Sequence, residues 1–361
     1  MANKIIKMEE EEQFADDYNE VPPPDMVAYN ELRSCADLFR MHEDGNLTIQ
    51  PEFQRDLVWR TSDQTRFIDS LIKQLPIPSM CFAYDFKKNS WLVIDGLQRI
   101  STIVRFLKGE DWTLSALDDI DPNLSGENAA TIKTSKTNLH QYYTRVMNQS
   151  LPVNVLRCDF SKKKHMEYLF TIFHRLNSGG VKLNNQEIRN CIYGGSLNNL
   201  LKELDQVKDW RTINNMKDKE NYRFTKQEVI LRFFAFYDCP DNYRGQISKF
   251  LNDYMFSNRN PDLTLIDEKR KLFLRVVGLI RSKIVGRTSF GRLPVTILES
   301  VMVGISHNLD QLENQTAAHI RALFDKFRED ESVSEESLAE GLSKKDKVEA
   351  RLNAARLIFS E

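Results

Sequence analysis

The sequence is short of most signals that would assign it to a class at sight. No apolar run approaches the ~20 residues that a membrane-spanning helix needs. The opening MANKIIKMEEEEQF has no apolar stretch followed by a small-residue cleavage site, so no secretory signal is expected and the cytoplasm is the expected compartment. Cysteine is scarce. The five, Cys35, Cys81, Cys158, Cys191 and Cys239, are far apart and never form C-x-x-C. That argues against a disulfide framework or a zinc knuckle and for reduced thiols. With 14 glycines and 11 prolines, collagen-like and low-complexity classes fail as well. Neither charge is in excess. Lys and Arg number 50 against 52 acidic residues, a net of −2, which excludes a globally basic nucleic-acid binder and leaves a local basic face open. The six histidines form neither H-x-x-x-H nor H-E-x-x-H, and both the G-x-S-x-G elbow and the G-x-x-x-x-G-K-[ST] loop are missing.

What is present is 361 residues, 41% of them hydrophobic, enough for one large domain or two ordinary ones. Residues 1–30 hold two lysines against eight acids and end near Pro22-Pro23-Pro24, which predicts an acidic, disordered arm. Removing it leaves 48 basic and 44 acidic residues, so the body is mildly basic. From 31 to 195 helix and strand signals alternate. Phe67, Ile68, Leu71, Ile72 and Leu75 recur at helical spacing, with Ser62 placed to cap. Met80–Tyr84 and Trp91–Ile94 are apolar runs of strand length joined by a polar hairpin loop. Ile100, Ile103, Val104 and Leu107 form one helical stripe stopped by Gly109. Residues 112–136 read as a long loop or insertion. Val153, Val155 and Leu156 form a strand after Pro152, and Met166, Leu169, Phe170, Phe173 and Leu176 the next helical stripe. From 196 to 361 strand signals nearly vanish. The predicted class is therefore α/β (α+β) followed by an all-α region.

Three segments carry chemistry. In Pro51–Trp59, Gln54 and Arg55 stand in a loop before a helix, pinned by Phe53 and Trp59. An Arg there suits a bidentate contact with phosphate or carboxylate; the plainer reading is a surface Arg beside two buried aromatics. In Trp91–Thr102 a strand ends at Asp95, Gly96 makes the turn and a helix starts. Its first-turn N–H groups favour an anion, and Gln98 and Arg99 lie within reach of it. The plainer reading makes Asp95 an N-cap, which does not account for Gln98 and Arg99 side by side. In Phe173–Asn190 a helix ends, Gly179-Gly180 turns the chain, and Asn184 with Glu187 makes a capping box. Capping leaves Arg175, Asn177 and Ser178 unexplained, and their donors suit phosphate or ribose. His174 reads as a helix-face residue.

Together these segments resemble a known family. Pro51…Phe53-Gln54-Arg55…Val58-Trp59, Ile68-Asp69-Ser70-Leu71…Pro76-Ile77-Pro78, Ile94-Asp95-Gly96-Leu97-Gln98-Arg99 and Arg175–Gly180…Gln186-Glu187-Ile188-Arg189 are similar to the N-terminal domain of GmrSD-type modification-dependent restriction systems. The likeness runs over about 35–260 and includes Tyr243…Lys249-Phe250-Leu251…Met255. It implies a ParB/sulfiredoxin-like core over 31–195, hydrolysis of nucleoside triphosphates, and defence against modified phage DNA. The family's D-G-Q-Q-R motif falls on Asp95, Gly96, Leu97, Gln98 and Arg99, with Leu97 a departure. Longer relatives add an HNH-type nuclease. His307 and His319 lack its usual neighbours, so any cutting is expected from a separate nuclease subunit.

The implied ligand is a nucleoside triphosphate with Mg2+, and DNA is a further implied partner. Asp95, Gln98 and Arg99 are the expected catalytic residues, with Asp95 also on the metal. Gln54, Arg55, Gly96, Arg99, Arg175, Asn177 and Ser178 are expected to hold the nucleotide. Arg99 should then sit on the first turn of a helix beside Asp95, with Arg55 and Asn177 close enough to share one anion. Two further readings compete. One is a DNA-binding or specificity module without hydrolysis; the other is a protein that binds only a partner protein.

Overall fold

The protein is described by a computed structural model at residues 2–12, 20–49, 59–176, 183–217, 222–286, 290, 293–339 and 341–361. In chain order it runs through α1 (Ala2–Glu12), β1 (Val27–Ser34), α2 (Cys35–Glu43), β2 (Leu47–Thr48), α3 (Thr61–Ile72), β3 (Met80–Asp85), β4 (Ser90–Asp95), α4 (Leu97–Lys108), α5 (Ala129–Thr134), α6 (Leu139–Asn148), β5 (Ser150–Cys158) and α7 (Lys163–Leu176). Helices follow: α8 (Asn185–Ile192), α9 (Ser196–Asp205), α10 (Lys208–Ile213), α11 (Thr225–Asp238), α12 (Ile247–Ser257), α13 (Leu263–Leu279), α14 (Val295–His307), α15 (Leu309–Leu312), α16 (Ala317–Arg328), α17 (Glu335–Ala339) and α18 (Lys345–Ile358). They divide into two units. One is Tyr18–Lys182; the other joins Met1–Asp17 to Leu183–Glu361.

The Tyr18–Lys182 unit is built on one mixed sheet in the order β1-β5-β3-β4-β2. β1 pairs antiparallel with β5, β5 parallel with β3, β3 antiparallel with β4, and β4 parallel with β2. Side chains alternate between faces. Met80, Phe82, Trp91, Val93, Leu151, Val153 and Val155 enter one core with Leu38 of α2, Leu71 of α3, Ile103 and Phe106 of α4 and Val146 of α6. The alternate residues Cys81, Ala83, Leu92 and Ile94 are buried as well, and α7 packs against β4. A strand covered on both faces reads as a continuous apolar run, and that is why β3 and β4 were legible. Truncating one core side chain, such as Ile103→Ala, would cost ~2–5 kcal/mol.

Several expectations need correction here. Ser62 does not cap α3: the helix begins at Thr61 behind Arg60, without a side-chain cap. Leu75 lies beyond α3 and is exposed. Pro152 lies inside β5. It is tolerated because pairing to β3 starts only at Val153, so only β1 flanks it. Residues 112–136 are no bare loop. Trp112, Leu114, Ile120, Leu124 and Ile132 enter the core, and α5 lies among them.

The helical unit follows the expected patterns, and all strands among the described residues lie in the other unit. It is crossed by a buried chain of alternating charge. Arg189 donates to Glu228 Oε2 at 2.9 Å, Arg232 donates to Glu228 Oε1 at 2.7 Å and pairs with Glu299 at 3.5 Å, and Arg351 reaches Glu299 Oε1 at 2.8 Å. Arg189 also donates to Asn252 Oδ1 and Ser248 Oγ. Because α8 packs on α11 and α12, the division falls at 182/183 rather than at 195. The arm expected to be disordered over 1–30 is corrected too. Residues 2–12 form α1, whose Ile5 packs with Leu338 and Leu342 of the helical unit, and Val27 begins an edge strand. β1 is largely exposed, so it lacks the apolar alternation that would reveal it. No helix among the described residues is long and apolar enough to cross a membrane.

Candidate functional site

The apolar run of β4 stops at Asp95, and Gly96 takes φ +99°, ψ 13° before α4 starts at Leu97. That left-handed conformation favours glycine. Space favours it too: a Cβ on Gly96 would stand 2.6 Å from Cγ of fully buried Met80. Gly96 is itself the N-cap and no side chain caps α4. The capping role considered for Asp95 is therefore not the one it plays. Among the described residues the first-turn N–H groups of α4 have no side-chain acceptor, the usual arrangement of a helix end open to an anion.

Asp95 holds Arg99 instead, accepting from Nη2 at Oδ2 over 3.0 Å. Arg99 also donates through Nη1 to the Pro78 carbonyl and, at 3.5 Å, through Nη2 to that of Ser79. Its side chain is 13% exposed and that of Asp95 42%, so the fork points into the protein and the carboxylate toward solvent. Burial lowers the Arg99 pKa, opposed by the ion pair with Asp95. Nε makes no hydrogen bond among the described residues. The expected first-turn placement beside Asp95 is found, but the fork is already occupied. Gln98 accepts the Trp59 backbone N–H at Oε1 over 3.1 Å, which leaves its amide NH2 as donor. Trp59 in turn packs edge-on against Phe67, centroids 5.3 Å apart.

Arg175 lies exposed in the last turn of α7, the helix that packs on β4. Gln54, Arg55, Asn177 and Ser178 lie outside the described residues, and with them the anion expected to be shared with Arg99. Asn184 and Glu187 form the capping box as read, while Glu187 also pairs with Arg223 at 2.6 Å. The carbonyls of Pro78 and Ser79 and the packing of Met80 were not anticipated as parts of the site; the Pro76-Ile77-Pro78 stretch was the signal for them. Nor was an open pocket of about 390 Å3 between Tyr29, Arg40, Asn46 and Tyr84. There Tyr84 stacks on Trp91 at 4.3 Å, and Arg33 lies over Trp91 while bound to Glu31 and Asp37.

Residues 35–194 match the family described as GmrSD restriction endonuclease, N-terminal domain. This segment is a GmrSD N-terminal domain. It takes in Asp95, Gly96, Gln98, Arg99 and Arg175, together with the sheet from β2 onward. The match ends at 194, short of Tyr243–Met255, where the likeness was expected to continue. No curated protein and no solved structure matches the chain, so no structural neighbour names its sheet. The match covers 160 of the 361 residues (35 to 194) and suggests a component of a restriction-type defence system.

Among the described residues no group of three or more His, Cys, Asp or Glu side chains could hold a metal. Asp95 is a single carboxylate, partly in solvent. That suits a Mg2+ carried in by phosphates, which commonly takes one or two protein carboxylates, rather than a resident ion in a protein cage.

Proposed function

We propose that the GmrSD domain binds a nucleoside triphosphate with Mg2+ at the start of α4 and hydrolyses it. In this reading it is the sensing component of a restriction-type system directed at modified DNA, and a separate nuclease subunit does the cutting. The observation that carries the reading is the uncapped N-terminus of α4, entered through a turn only glycine fits, with Asp95 and Arg99 beside it. Phosphoryl transfer needs positioning and charge neutralisation more than covalent chemistry.

The roles follow from the groups present. The α4 N–H groups receive the terminal phosphates. Arg99 exchanges Asp95 for a phosphate oxygen, a swap of one charged acceptor for another. The released Asp95 carboxylate would hold a Mg2+ or orient the attacking water. Bound Mg2+ would offset the charge building up on the phosphate oxygens. Gln98, fixed at Oε1 by Trp59, directs its amide NH2 at the water. Gln54, Arg55, Arg175, Asn177 and Ser178 complete the nucleotide contacts.

Phosphate release from the purified chain, measured with malachite green for each of the four NTPs, tests this. Absence of release with every NTP, with and without DNA, rejects hydrolysis. The occupied fork of Arg99 favours one alternative, a DNA-binding module that never turns nucleotide over. It calls for salt-dependent DNA binding without nucleotide.

A further inference from the structure

Helix α1 carries the run Glu9-Glu10-Glu11-Glu12, and it buries the first of them. Glu9 is 4% exposed. Its carboxylate accepts the backbone N–H of Val295 at Oε2, and the backbone N–H and hydroxyl of Thr296 at Oε1, each over 2.9 Å. These are first-turn donors of α14, whose own N-cap, Pro294, has no side chain to offer them. The cap that α14 lacks locally therefore comes from the far end of the chain. Ile5, with Met8 beside it, packs with Leu338 and Leu342 and forms the apolar part of the contact.

A buried charge network lies near the same contact. The buried chain Arg189–Glu228–Arg232–Glu299–Arg351 holds three cations and two anions. Burial raises the Glu9 pKa, opposed by the hydrogen bonds from Thr296 and Val295 and by nearby Arg232. Yet the apolar contact is small, and an isolated helix of 11 residues is marginal in water. Both points favour an element that docks and undocks as a piece.

We propose that α1 is a detachable latch. The α14 N-terminus with Leu338 and Leu342 forms a receptor for an acidic amphipathic helix, and this chain fills it in cis with apolar residues at Ile5 and Met8 and the carboxylate at Glu9. A partner helix with the same spacing, apolar at i and i+3 and Glu at i+4, would compete for the receptor.

Two measurements on the full chain decide this. In hydrogen exchange, Glu9→Ala should raise the exchange of amides 5–12 at least tenfold. By fluorescence anisotropy, a labelled peptide of residues 1–12 should bind the Glu9→Ala chain and bind the unaltered chain at least tenfold more weakly, because the receptor is already filled. The same peptide with Glu9→Ala should bind neither. Unchanged exchange in α1, or equal peptide binding to both chains, overturns the latch. So does loss of the helical circular dichroism signal in both Glu9→Ala and Glu9→Gln, since α1 would then be an inseparable part of the core.

Discussion

Replacing Arg99 with alanine separates a phosphate-binding role from a purely structural one. In the structure the guanidinium gives one ion-pair hydrogen bond to Asp95 and one hydrogen bond to the Pro78 carbonyl, with the 3.5 Å contact to Ser79 adding little. A hydrogen bond to a charged group is worth ~1.5–3 kcal/mol when desolvated, but Asp95 is partly in solvent, which brings that pair toward ~0.5–1 kcal/mol. The carbonyl adds ~1 kcal/mol. Arg99→Ala should therefore cost ~1–2 kcal/mol, or ~2–8 °C in melting temperature for a unit of this size. That is more than an exposed first-turn Arg would give. It should also abolish phosphate release in protein that urea titration shows to be folded. Arg99→Lys should restore part of the stability and little of the turnover, because an ammonium does not reproduce the bidentate fork. Full turnover alongside the stability loss would refute the phosphate role and leave Arg99 as a strut for the Pro78–Ser79 loop.

Further outcomes follow from the geometry. Gly96→Ala should cost ~2–4 kcal/mol, from a strained positive φ and a forced shift of Met80; a change in urea midpoint equivalent to less than ~0.5 kcal/mol would contradict the contact drawn there. Arg189→Ala leaves Glu228 with one cation instead of two, and should cost ~3–5 kcal/mol by chemical denaturation. A loss below ~1 kcal/mol would mean that the buried chain is not coupled. Asp159 is opposed by burial, but hydrogen bonds from Lys87 and Ser161 outweigh that and depress its pKa to about 2. A depressed carboxyl stabilises the fold above its unfolded pKa of ~3.9, and that contribution is lost as pH falls toward 2. The gap in urea midpoint between the unaltered chain and Asp159→Asn should thus be full at pH 5 and shrink by pH 2.5. A gap independent of pH would count against the ionic role.

Much of the sheet unit could be read from periodicity where burial imposed it. The runs Met80–Tyr84 and Trp91–Ile94 are buried on both faces, and the Ile100–Leu107 stripe ends at Gly109 in the left-handed conformation. Edge strand β1 was invisible because exposure removes the pattern, and α1 because an acidic run reads as solvated when buried Glu9 cannot be told from its neighbours. At the site, the turn at Asp95-Gly96 and the first-turn position of Arg99 were legible from local rules. Of the acceptors that hold Arg99, Asp95 stands in the motif, but the Pro78 and Ser79 carbonyls were not legible, since they lie 20 or more residues away in sequence and no side-chain motif announces a carbonyl.

The bond between Glu9 and Val295 spans 286 positions, and this has a consequence for synthesis. At ~5–20 residues per second, α1 leaves the ribosome ~15–60 s before the first turn of α14 exists. Every strand of the sheet is made in that interval, so β1–β5 can pair while α1 is still undocked. The four adjacent glutamates suit that wait, because a short segment of like charge resists collapse onto the nascent apolar surface around it. Helix α1, translated before the sheet, is thus among the last elements to find its place, and a chain stalled before residue 295 would leave it undocked.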